Sequence, residues 1–240
     1  MLLVVGCASS QTPHSNTTVA PKVPAPVFAP ERQAPKPAED SDGLEVRGTL
    51  GILKETDIEQ VFKSRFTELL ACVTEGKEKF RYLSGAVDIK VKVDQRGATK
   101  SSFLQSSTLG HREAETCLEK IVAQLRFAPP QGGKEAEFNY PIDFGSSSQV
   151  LVWEGARIKA GMVAFRPHVR ACKRRVPGGL PPGIQLTVYV GPGGRVLSAG
   201  VAADAPVPTP IGDCLIDKTR LLRLDDPLGQ VAKATVGIKE

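Results

Sequence analysis

Alternating apolar and polar residues predict a β-strand in each half of the chain. The first alternation covers 85–94, where the polar positions are expected to face water, and the second covers 186–190. Each is followed by a glycine-containing turn, at 94–97 and at 191–194, and then by a second extended run. The pattern therefore predicts one β-hairpin in each half.

Apolar positions at helical spacing predict a helix before and after each hairpin. The four predicted helices cover about 56–76, 111–125, 158–172 and 209–222. Thr56 and Glu59 have the spacing of a capping box at the start of the first helix. Pro167 is expected to kink or shorten the third helix, and Thr209 and Pro210 to be the cap and first position of the fourth.

The two halves share identical residues at a constant separation. Six pairs lie 97 positions apart, and they are Val93 with Val190, Gly97 with Gly194, Ser101 with Ser198, Cys117 with Cys214, Leu125 with Leu222 and Pro130 with Pro227. Upstream of the hairpin the separation becomes 100, as between Cys72 and Cys172. This regularity predicts a tandem duplication of one small domain.

Each predicted domain has the order β-α-β-β-α-β. A short strand is expected to end at 48–50 in the first domain, and the last strands cover 135–144 and 230–239. We therefore expect an α+β fold of two domains, 44–146 and 150–240, each an antiparallel sheet with helices on one face.

Five cysteines divide into one near the start and two pairs at matching places in the repeats. The matched spacing predicts the disulfides Cys72–Cys117 and Cys172–Cys214, because each pair would lie on two helices that pack side by side on a sheet. The alternative is two buried free thiols in each domain. Disulfides would indicate an oxidising compartment.

The fifth cysteine, Cys7, ends an apolar stretch that resembles a bacterial lipobox, so 1–7 is interpreted as the remnant of a lipoprotein signal. The alternative is an ordinary N-terminal fragment with an unpaired cysteine. Ala8 follows in place of an aspartate that would signal retention in the inner membrane, which suggests an outer-membrane lipoprotein facing the periplasm and anchored through Cys7. The proline- and alanine-rich segment 8–43 is expected to be a disordered tether.

The candidate chemistry is sparse. The net charge of +5 is mildly basic, and a basic cluster on and after the third helix, 166–175, has no interleaved aromatic residues, so nucleic-acid binding is not expected. The three histidines lack a second ligand at metal spacing, and no nucleophile motif or phosphate loop is present. We expect no metal, no cofactor, no small-molecule substrate and no enzymatic activity.

Several motifs of the first domain resemble a known family. The segment 105–110, Cys117, the segment 126–133 and Tyr140-Pro141 with Phe144 together look like the TonB C-terminal-like domain of the AgmX/PglI gliding-motility proteins. The resemblance covers about 44–145, although Val73-Thr74 stands where the family usually has Tyr-Glu. It implies a partner-binding domain of the cell envelope, such as part of a motility or transport complex.

The leading hypothesis is a lipoprotein that binds or scaffolds other envelope proteins. In proteins of the TonB type the partner adds an extended segment to a sheet edge. The last strand of the first domain is the expected edge, with binding residues Glu135, Glu137, Asn139, Pro141 and Asp143, unless the second domain shields it. The alternatives are a peptidoglycan-binding module that uses the basic helix and a TonB-type energy transducer.

Overall fold

The structure, a computed structural model, describes residues 51–238. The described chain is a mixed α+β fold with five α-helices and two sheets. The helices are α1 (Glu55–Ser64), α2 (Phe66–Lys79), α3 (Arg112–Val122), α4 (Lys159–Lys173) and α5 (Thr209–Thr219). The strands are β1 (Ala86–Val93), β2 (Thr99–Ser107), β3 (Ala136–Asp143), β4 (Val150–Trp153), β5 (Gln185–Gly191), β6 (Arg195–Ala202) and β7 (Val231–Gly237). The predicted lipobox, the tether and the strand at 48–50 lie outside the described residues.

The first sheet is antiparallel, with the strand order β2-β1-β3. Its apolar face forms one core with α1, α2 and α3, because the alternate positions of β1 are buried and the polar positions between them stay partly exposed. Phe62 of α1 stacks on Tyr140 of β3, with ring centroids 3.7 Å apart. The predicted strand with one face in water is thus found in β1.

The second sheet has four strands in the order β4-β7-β5-β6. Here the expectation of an antiparallel sheet is wrong, because β4 pairs with β7 in parallel. β4 and β7 are joined through α4, the β5–β6 hairpin and α5, and this long connection lets them run in the same direction. A separate apolar core lies between this sheet and the helices α4 and α5.

The two hairpins match in detail at the separation of 97. A register irregularity follows Lys92 in β1 and Tyr189 in β5. Gly97 has φ +84° and Gly194 has φ +69°, so both turns need the left-handed conformation that glycine adopts without strain. The glycine carbonyl accepts the N–H of Phe127 in the first case (2.7 Å) and of Leu224 in the second (2.9 Å).

Each half contains one disulfide, and the pairs are those that the cysteine spacing predicts. Cys72 of α2 bonds to Cys117 of α3, and Cys172 of α4 bonds to Cys214 of α5. The Cα atoms lie 5.7 Å apart in both bridges. In each half the disulfide therefore joins two helices that pack on the sheet, α2 with α3 and α4 with α5.

Four local helix predictions are wrong. The single helix expected at about 56–76 is two helices, α1 and α2, which meet at Arg65. α1 begins at Glu55 with Lys54 as its N-cap, so the predicted capping box at Thr56 does not form. Pro208, not Thr209, is the N-cap of α5, which places Thr209 in the first turn. Pro167 does not shorten α4, because the helix continues past it to Lys173 and the proline is on the exposed side, while the expected kink stays a prediction. Packing of the buried face therefore outweighs these local signals.

The first half of the described chain contains α1, α2, α3 and β1 to β3, and the second half contains the remaining elements. The outer face of the second sheet packs on the first half through polar contacts. The hydroxyl of Tyr189 donates to the carbonyl oxygen of Ser84 at 2.9 Å and accepts the Ser84 N–H at 3.1 Å. Thr187 donates its hydroxyl to the carbonyl oxygen of Ser107, 2.7 Å away. Both side chains are buried, which explains why β5 is buried on both faces.

A buried carboxyl crosses the same interface. Glu115 of α3 accepts the Ser107 hydroxyl at 2.6 Å and the backbone N–H of Val201 in β6 at 3.0 Å. A Cβ at Gly200 would overlap the carboxylate, so glycine is needed for this close approach. Burial raises the pKa of Glu115 to about 7, although its two hydrogen bonds and the charge of Arg112 oppose the shift.

Candidate functional site

The outer edge of β3 presents backbone groups away from its neighbour β1. The N–H of Phe144 donates to the carbonyl oxygen of Gly85 at 2.9 Å. This bond shows which residues of β3 direct their backbone groups toward β1. Hydrogen bonding alternates along an antiparallel pair, so the even-numbered residues of 136–142 face β1. The odd-numbered residues Glu137, Asn139, Pro141 and Asp143 direct their backbone groups outward.

One end of this edge is already paired. The carbonyl oxygen of Glu135 accepts the N–H of Gly51 at 2.8 Å, and Ile52 forms an isolated bridge with Gln131. Beyond that point, within residues 51–238, the outward N–H groups of Glu137 and Asn139 have no hydrogen-bond partner. The open edge of the described chain is therefore 137–143.

Pro141 lies on the outward side of the ladder. It has no N–H, so at this position it removes one donor from the open edge and none from the pairing with β1. An incoming strand would find donors at Glu137 and Asn139 and then a gap at Pro141. The proline thereby limits the length and register of strand addition.

The polar side chains of β3 project from the face of the sheet and bind neighbouring strands. Glu137 pairs with Lys90 of β1 at 2.6 Å, and the Asn139 amide donates to Asp88 (2.8 Å) and Gln105 (2.7 Å). These three interactions hold the side chains over β1 and β2. The open edge consequently offers its backbone groups without a barrier of free charged side chains.

Glu135 shares two lysines at the start of the strand. Its carboxylate pairs with Lys92 at 3.1 Å and also with Lys100 of β2. Hydrogen bonds from Lys100 and Lys92 lower the pKa of Glu135. Among the five predicted binding residues, Glu135 therefore uses its side chain to bind other strands of the same sheet. Its outward carbonyl oxygen already accepts the N–H of Gly51.

A groove of about 370 Å³ lies where β3 ends and β4 begins. Asp143 and Lys233 contribute charged groups, while Val150 and Val152 contribute apolar surface. Val152 is 82% exposed and lies on β4, which is the edge strand of the second sheet. The groove therefore combines polar and apolar walls beside two strand edges.

Lys233 links the groove to the interface between the halves. Its ammonium group donates to the carbonyl oxygen of Ser84 at 3.0 Å and lies 5.5 Å from the ring centroid of Tyr189. Burial lowers the pKa of Lys233, and the charge of Asp143 opposes this shift. The lysine is thus held in place by contacts from both halves.

The other edge of the first sheet, β2, meets the second half. The N–H of Ala203, just after β6, donates to the carbonyl oxygen of Leu104 in β2 at 3.1 Å. Glu119 of α3 lies on the same side and accepts the Leu104 N–H at 3.3 Å. The second half therefore covers the β2 edge of the first sheet. Among the described residues, β3 is the open edge.

Other kinds of site find little support in the part of the chain that the structure describes. There, no group of three His, Cys, Asp or Glu side chains could hold a metal ion. His111 is the N-cap of α3, where its Nδ1 accepts the Ala114 N–H at 3.2 Å. None of the described helices is both long and apolar enough to span a bilayer.

Sequence reasoning found the strand but missed the groove. Lys233 and Val152 belong to the second half and are 90 and 9 residues from Asp143 in the sequence. Their proximity depends on the packing of the two halves, for which no local pattern gives a signal. The apolar run from Val150 to Trp153 is the one local signal, since a short apolar run is consistent with a strand but does not show what lies beside it.

Comparison of the chain with protein families, with curated proteins and with solved structures finds no match. The resemblance to the TonB C-terminal-like domain, the partner class and the location in the envelope therefore stay predictions.

Proposed function

We propose that this chain is a non-enzymatic binding protein of the bacterial envelope, which holds an extended segment of a partner protein on the outer edge of β3. The observation that carries the proposal is the open edge at 137–143, where two backbone donors lack partners within the described residues. Addition of a strand to such an edge gives affinity through main-chain hydrogen bonds.

The groove beside Asp143 supplies specificity in this proposal. An extended segment that runs along β3 past Pro141 enters this groove. One of its side chains would contact Val150 and Val152, and the side chains before and after that one would lie near Lys233. Side chains alternate along a strand, so apolar and acidic residues in alternation suit the two walls. The preferred partner segment is therefore extended, with an apolar residue flanked by an acidic one.

The location in the envelope rests on the cysteines. Two disulfides persist in an oxidising compartment such as the periplasm. The lipobox at Cys7 would anchor the chain to the outer membrane, and the proline-rich segment would separate the anchor from the folded halves. Replacement of Cys7 by serine in the full-length gene should release the folded protein from the membrane fraction.

The direct test of strand addition is Asn139→Pro, because the N–H of Asn139 points outward and is not needed for pairing with β1. We expect capture of a partner from detergent-solubilised envelope to fall about tenfold or more, since one main-chain bond and the strand register are lost. Quantitative mass spectrometry of the captured proteins measures this effect.

The matched control is Asn139→Ala, which loses the same side-chain bonds to Asp88 and Gln105 but keeps the N–H. It should retain capture. Pro141→Ala adds an outward donor and should strengthen capture. A folded Asn139→Pro protein that captures the same partner as well as Asn139→Ala does would exclude edge addition through β3.

A further inference from the structure

A second surface of the molecule has a strong charge bias. Between Glu154 and Asp204 the chain has no acidic residue, while eight residues are Lys or Arg. Six of these lie on or directly after α4, whose first residue is Lys159. The α4 side of the second half is therefore positive over a continuous stretch of chain.

The basic residues of α4 form a stripe opposite its buried face. Phe165, Val169 and Cys172 point into the core. Four exposed residues of α4 are separated by four, three and four positions, a spacing that places them on one side of the helix. They are Lys159, Val163, Arg166 and Arg170. This stripe, from Lys159 to Arg170, is about 16 Å long at 1.5 Å per residue.

The charges of the stripe are uncompensated. Within residues 51–238, Lys159, Arg166 and Arg170 take part in no ion pair, whereas the lysines of the first sheet face are paired with Glu135 and Glu137. Unpaired cations on one helix face attract an anionic surface over about one Debye length.

Apolar groups accompany these cations. Val163 is 54% exposed and sits between Lys159 and Arg166 on the stripe. Beside it a cleft of about 140 Å³ between α4 and the end of β7 is lined by Met162 and Ile238, with the two basic residues also in its lining. The surface thus offers positive charge and apolar contact together.

We propose that the α4 stripe binds the surface of a membrane that contains anionic phospholipids. A bilayer presents phosphate groups to Lys159, Arg166 and Arg170 and an apolar boundary to Val163, and basic faces with apolar residues bind at that interface. A polyanionic glycan offers charge without the apolar layer. A single-stranded nucleic acid is bound by stacking its bases on exposed aromatic rings, and the three aromatic residues of this half, Trp153, Phe165 and Tyr189, are buried.

The test measures binding of the full chain carrying Cys7→Ser, so that no acyl group contributes, to vesicles of phosphatidylcholine with phosphatidylglycerol. The triple variant Lys159→Gln, Arg166→Gln, Arg170→Gln should bind on the order of 100-fold more weakly, at about fivefold for each charge. Binding should also fall steeply as salt is raised. Vesicles of phosphatidylcholine alone should not bind the protein.

The matched control removes the same charge elsewhere. Lys77, Arg96 and Lys120 are exposed residues of the first half without ion pairs in the described chain, and their replacement by glutamine should leave most of the binding. Equal weakening by both triple variants would overturn the proposal, because net charge alone would then explain it. So would a wild-type chain that does not bind anionic vesicles at low salt.

A single change separates a membrane from a soluble polyanion. Val163→Ser should weaken vesicle binding several-fold and leave binding to heparin unchanged. If Val163→Ser has no effect on vesicles, or if isolated peptidoglycan binds through α4 while vesicles do not, the membrane assignment is wrong. Strand addition at β3 is independent of these outcomes, since Asn139 lies in the other half of the molecule.

Discussion

The outer faces of the two sheets differ in exposure at positions that match at the separation of 97 residues. Lys90 and Lys92 of β1 stay partly exposed, whereas Thr187 and Tyr189, each 97 positions later in β5, are buried against the first half. A lysine that lost its water there would need a partner for its charge, whereas threonine and tyrosine need only hydrogen bonds. The outer face of the second sheet is therefore an interface, whereas the outer face of the first sheet is accessible to solvent in the described part of the chain.

The last strands differ in the same way. β7 is covered over its first four residues by β4, whereas among residues 51–238 the outer side of β3 is paired only just before the strand, at Glu135. The two halves thus differ in their contacts, because the second sheet packs on the first half and the first sheet has an open edge within the part of the chain that the structure describes. The following changes test this division, beginning with the largest expected effect.

The disulfides should contribute equally to the two halves. Their loops span 45 and 42 residues, and the chain-entropy model gives about 4 kcal/mol for either. Urea unfolding of Cys72→Ala with Cys117→Ala, and of Cys172→Ala with Cys214→Ala, measures each loss. A much smaller loss for one pair would mean that this half is held mainly by contacts with the other.

The buried carboxyl at the interface should make stability depend on pH. Because the pKa of Glu115 is about 7 in the folded protein and near 4.5 when unfolded, the folded state binds more protons between these values. The free energy of unfolding should therefore decrease as pH rises from 4.5 through 7, by up to about 3 kcal/mol.

Glu115→Gln is the matched variant, since its amide can still bind Ser107 and Val201 but cannot ionise. Compared with wild type, it should be about equally stable at pH 5 and more stable at pH 8. Burial lowers the pKa of His111, which gives a dependence of opposite sign below pH 6.5 that both proteins share. Parallel pH profiles for the two proteins would contradict the role of Glu115.

Tyr189→Phe should weaken the interface without opening a cavity. The variant removes both hydrogen bonds to Ser84 and keeps the ring that packs edge-on against Phe80 at 4.8 Å. We expect a loss of about 1–2 kcal/mol, because the buried N–H of Ser84 is left without this partner. Tyr82→Phe, whose hydroxyl is near solvent and binds Arg81, is the control and should cost less.

The smallest effect is expected on the open sheet. Glu137→Gln breaks the 2.6 Å pair with Lys90, but both side chains are about a third exposed. Solvent and salt weaken such pairs, so the loss should be below about 1 kcal/mol and should shrink as salt is added. A larger loss would show that the face of the first sheet is not open to water in solution.

The sequence by itself determined the local elements of this protein. The alternation in β1, the left-handed turn at Gly97 and the helical faces that bring Cys72 next to Cys117 all follow from residues within one half. Each depends on side-chain periodicity or on a backbone preference, which acts over a few residues. For this reason the hairpins, three of the four flanking helices and the disulfide pairs could be predicted, whereas the break at Arg65 between α1 and α2 could not.

Only the tertiary structure decided how the halves meet and which edge of the first sheet is open among residues 51–238. Tyr189 binds Ser84 across 105 residues and Glu115 binds Val201 across 86, and no local pattern distinguishes these side chains from exposed ones. The parallel pairing of β4 and the groove at Lys233 likewise require segments that are far apart in sequence. Such contacts form because buried polar groups of one half are hydrogen-bonded to polar groups of the other. The matching donors and acceptors come together only when both halves are folded.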